Sequence, residues 1–72
     1  DLADLIGRVD EKMTQRIRFA ISDGQLASNT DARLTAKLLQ GVLHSLAIRT
    51  RAGESKAGLL KMAKHAVQML LP

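Results

Sequence analysis

The chain has 72 residues, 46% of them apolar and 25% charged, which is globular rather than disordered composition. With no cysteine and Phe19 as its one aromatic residue, it excludes disulfides and thiolate metal sites and leaves Leu, Ile, Val, Met and Ala to build a core, a palette that favours helices. Its formal charge is +4, but the Lys and Arg residues are scattered from Arg8 to Lys64 among acidic ones, and stacking aromatics are nearly absent, which argues against a nucleic-acid surface.

One domain at most fits this length. At this size a single core rarely yields more than about 3–5 kcal/mol, so oligomerisation is expected. No run reaches the roughly 18 apolar residues of a membrane span and no signal peptide is visible, so a cytoplasmic location is expected. The chain begins on Asp1-Leu2 without an initiator Met, inside what reads as a helix already under way, and is expected to be a fragment.

The first helical period runs through Leu2, Leu5, Ile6, Val9, Met13, Ile17, Ala20 and Ile21, an arc of roughly 160° on a helical wheel. Asp1 and Asp4 lie where the positive end of a helix dipole favours them. Gly24 is placed to adopt the left-handed conformation that ends a helix, so this element covers residues 1–23. Gln25–Thr30 reads as a connection of small and polar residues.

A second helix is expected over residues 31–52, capped by Asp31 with Thr30 as the competing cap, and stopped by Gly53. Leu38, Leu39, Val42, Leu43, Leu46 and Ala47, with Ala36, cover about half its circumference, whereas a surface helix needs a stripe only about 100° wide. Gly41 inside it costs about 1 kcal/mol relative to Ala. It reads either as a tolerated defect or as the point of a close helix–helix crossing.

The third helix, residues 55–71 with Ser55 as its cap, is equally over-wide. Leu59, Leu60, Met62, Ala63, Ala66, Val67, Met69, Leu70 and Leu71 leave only a narrow strip of Lys61, Lys64, His65 and Gln68. Joined by a short turn, the two helices should form an antiparallel hairpin. A second copy of the chain is the economical cover for the surplus, giving a four-helix bundle about a two-fold axis.

Catalytic chemistry is not indicated, and no cofactor is implied. His44 and His65 are not at metal-ligand spacing, and His44 sits beside a strip of Arg33, Lys37 and Gln40. The glycines are isolated and form no phosphate loop. No serine has a neighbouring His and acid pair. Met13, Met62 and Met69 read first as core filler, though flexible thioethers also suit an adaptable apolar pocket.

The stretch from Gly24 to Leu71 resembles the C-terminal part of tetracycline-repressor-type (TetR/AcrR family) transcriptional regulators. The resemblance rests on Gly24 with Leu26 following, the acidic cap Asp31, Leu38-Leu39-Gln40-Gly41 in mid-helix, Arg49-Thr50-Arg51-Ala52-Gly53 at its end, and the Ser55-capped final helix. The chain departs from the pattern at Gly58, where many relatives carry an acid, and at Ala32, where many carry Pro.

By that resemblance, the all-α chain is the dimerisation and effector-binding region of a repressor, and it lacks the helix-turn-helix DNA reader. Its partners would be a second copy, a small apolar effector, and operator DNA only through the absent reader. The expected homodimer interface is Leu39, Leu43, Leu46, Leu59, Met62, Ala66, Met69 and Leu70, and the expected pocket wall is Val9, Met13 and Ile17. The alternative reading is a helical interaction module without ligand sensing.

Overall fold

The computed structural model describes all residues from Asp1 to Pro72 as three α-helices without a strand. They are α1 (Leu2–Ser22), α2 (Ala32–Arg51) and α3 (Lys56–Leu70). No helix is long and apolar enough to cross a membrane.

Each helix starts on a side-chain cap. Asp1 Oδ1 accepts from the Asp4 amide at 2.9 Å and so caps the first turn of α1. Asp31 Oδ1 accepts from the Leu34 amide at 3.0 Å. Thr30, the competing cap, is otherwise engaged, its hydroxyl donating back to the Ala27 carbonyl at 2.7 Å. Ser55 Oγ accepts from the Gly58 amide at 3.1 Å, which starts α3 without an acid at position 58.

Two glycines stop two helices by one mechanism. Gly24 has φ +80° and Gly53 has φ +87°, the left-handed region that costs a side chain free energy. At the end of α1 the Gly24 amide donates to Ile21 O at 3.1 Å and the Gln25 amide to Ala20 O at 2.9 Å. At the end of α2 the Gly53 amide donates to Thr50 O and the Glu54 amide to Arg49 O, both at 3.1 Å. These paired bonds satisfy carbonyls that a helix end otherwise leaves open. Ala52 becomes the half-helical residue of the turn, so α2 closes at Arg51, one residue short of expectation. The last helix also closes one residue early: Leu71, at φ −129° and ψ 59°, precedes Pro72, whose ring disfavours helical geometry in the residue before it.

The chain divides into two compact units, Asp1–Lys37 and Leu38–Pro72. In the first, the buried residues are Thr14, Ile17, Ala32, Thr35 and Ala36. Thr14 and Ala36 are wholly buried, at 0% exposure each. A fully buried threonine is tolerable because its hydroxyl donates to Asp10 O at 2.7 Å within its own helix. The apolar stripe of α1 is thereby split. Ile17 is buried and Met13, Ala20 and Ile21 are half-covered, whereas Leu2, Leu5, Ile6 and Val9 are exposed.

The second unit holds far less inside. Gln40 is its one buried residue and α3 buries none. Leu39, Val42 and Leu46 on α2, and Leu59, Met62, Ala63, Ala66 and Leu70 on α3, are half-covered. Gln40 was expected on a polar strip beside His44, but only His44 of the two is exposed.

Candidate functional site

The chemistry available on the second unit is apolar surface. Among the residues expected at a dimer interface, Leu39, Leu46, Leu59, Met62, Ala66 and Leu70 are half-covered by the chain itself, while Leu43 and Met69 are exposed, at 50% and 67%. Large apolar side chains outside that expected set are exposed too: Leu38 at 48%, Ile48 at 67%, and Leu60 and Val67 on α3. Single exposed leucines are ordinary, but this many large apolar side chains exposed on two short helices is a surplus that the chain itself leaves uncovered.

Along α2 the surface is shaped by what is missing. Gly41, Ser45, Ile48 and Ala52, with His44, Arg49 and Glu54 at the margins, line an open and mainly apolar groove. A Cβ built on Gly41 would have nothing within 4 Å, so the glycine does not relieve any crowding inside the chain. At one end of the groove Arg49 is held in place. Its Nε donates to Ser45 Oγ at 3.1 Å and its Nη1 to Glu54 Oε1 at 2.7 Å. That bonding ties the last turn of α2 to the residue just past Gly53 and neutralises the charge closest to the groove.

The expected pocket wall on α1 is spread over three environments. Val9 is exposed, Met13 half-covered and Ile17 buried. Val9 lies on an open depression with Leu5, Arg8 and Lys12, all from α1. A depression on one helix encloses nothing by itself, whereas small-molecule sites bury most of their ligand. Elements of a second body would have to close it.

No group of three or more potential His, Asp or Glu ligands is close enough to hold a metal ion. One face of α2 carries exposed apolar side chains with small residues between them. Leu38 and Ile48 belong to it, but the residues between them on that face are Gly41 and Ser45, and neither of these scores as apolar.

No protein-family model matches the chain, and neither a curated protein nor a solved structure shows significant similarity to it.

Proposed function

We propose that this chain is the dimerisation and effector-binding region of a tetracycline-repressor-type transcriptional regulator. The observation that carries the reading is the second unit's surplus of exposed apolar side chains, with none of the α3 residues buried. In this reading α2 and α3 form an antiparallel hairpin, and two hairpins make a four-helix bundle that buries the surplus about a two-fold axis. The resemblance in the segment from Gly24 to Leu71 supports the same assignment.

The activity is then regulatory rather than catalytic. A helix-turn-helix reader N-terminal to α1 contacts operator DNA in the cytoplasm. A small apolar effector, bound against α1 near Val9 and Met13, favours one separation of the two readers over another. The shift changes their fit to half-sites one helical turn apart. The dimer hub is the fixed element against which that separation is measured.

Sedimentation equilibrium of the 72-residue chain at micromolar concentration tests the reading. A stable dimer is expected. A helical, cooperatively melting monomer at that concentration overturns it and favours an interaction module that waits for an unrelated partner. The same chain should not bind DNA, and tight, salt-dependent binding by these residues alone would point instead to a basic nucleic-acid binder.

A further inference from the structure

On the exposed half of α1 the chain leaves two cations unopposed beside apolar side chains. Leu5, Arg8, Val9 and Lys12 line one open depression with Glu11 and Gln15. At about 100° per residue the first four fall within an arc of roughly 100°, and all of them are exposed. We propose that the effector bound against α1 is an amphipathic anion, an apolar body ending in a carboxylate that sits between Arg8 and Lys12. The inference rests on the effector reading given above and adds the chemical class of the ligand.

The charge of the depression decides the sign of the ligand. Glu11, its one carboxylate, is taken by Arg33 at 3.1 Å. The other ion pairs join Asp4 to the N-terminal amine and Glu54 to Arg49, while Asp1 and Asp31 cap helices. Asp10 is half-covered and lies about 150° round α1 from the centre of the depression. Arg8 and Lys12 are left without an ion-pair partner in the chain. They stand four residues apart, so their like charges repel across one helical turn. A carboxylate between them removes that repulsion and accepts charge-assisted hydrogen bonds from both. A cationic ligand of the same shape is rejected by the same two charges.

The apolar side sets the rest of the ligand. Leu2, Leu5, Ile6 and Val9 are exposed on α1 and extend over about 10 Å at 1.5 Å per residue. A body of that length lies along the helix while its acid reaches the turn of Arg8 and Lys12.

Decanoate, decanol and decylamine share one apolar body and differ in the charge of one end. Each is titrated into the 72-residue chain below its micelle concentration, and backbone amide chemical shifts read the binding. Decanoate should bind with shifts centred on residues 5–12, about tenfold tighter than decanol, and decylamine should bind weakest. Arg8→Gln and Lys12→Gln should each lower decanoate affinity about fivefold and leave decanol unaffected, with the difference shrinking as salt is added. Lys61→Gln on α3 makes the same change in net charge and should alter neither.

Equal binding of decanoate and decanol at residues 5–12, or tighter binding of decylamine there, overturns the anion and leaves the effector reading intact. Decanoate shifts centred elsewhere, or an equal loss in Lys61→Gln, show a general attraction to a basic chain and overturn the site. Absence of shifts with all three probes overturns the inference together with the effector's place near Val9, whereas the dimer reading is decided separately by sedimentation.

Discussion

Arg33 and Glu11, 22 residues apart in sequence, meet through a 3.1 Å hydrogen bond from Nη1 to Oε2. The pair joins the middle of α1 to the first turn of α2. Both side chains are about half exposed, so solvent screens the attraction and the pair orients the helices more than it holds them.

Replacing Glu11 with Gln should therefore cost no more than about 1 kcal/mol, and the loss should shrink as salt is added. Urea denaturation at low and at high ionic strength measures both. A loss several times larger, unaffected by salt, would mean that the pair is shielded from water.

Two glycines should respond to alanine with opposite signs. Gly53, at φ +87°, forces a side chain into the left-handed region, so Gly53→Ala should destabilise by roughly 1–2 kcal/mol. Gly7 lies in the interior of α1, and a Cβ added there would meet nothing within 4 Å, so Gly7→Ala should stabilise by up to about 1 kcal/mol. Thermal melts followed by circular dichroism, at one fixed chain concentration, separate the two.

Ala36 is fully buried, and nothing larger fits without displacement. Ala36→Leu should cost about 1–3 kcal/mol through overpacking. Its cost should exceed that of Leu at the exposed Ala47, compared by denaturant midpoints. Equal midpoints would show that the first unit can open at no expense.

The Ser55 cap is the last local contribution. Ser55→Ala removes the acceptor of the Gly58 amide bond and should cost about 1 kcal/mol, with fraying confined to the first turn of α3. Amide hydrogen exchange at Gly58 and Leu59 reads the fraying directly.

The helices and their ends were legible because they are local. Asp31 and Ser55 cap through amides three residues away, and Gly24 and Gly53 stop helices because their backbones alone tolerate the required φ. The interior was less legible. Thr14 and Gln40 count as polar in any hydropathy pattern, yet both are buried, Thr14 because its hydroxyl is satisfied inside its own helix. On α1 the pattern runs unbroken from Leu2 to Ile21, but only the half beyond Asp10 is covered.

The sequence by itself determined that the chain is three helices, where they begin and stop, and that the last two carry more apolar surface than one small core requires. Periodicity and capping act within one or two turns, so a single chain is enough to read them. Only the tertiary structure decided how that surface is divided. It half-covers Leu39 and Leu46, leaves Leu38 and Ile48 exposed beside Gly41, and buries Ala36. Burial depends on which segments pack together, and an over-wide apolar helix is compatible with more than one choice of inward face.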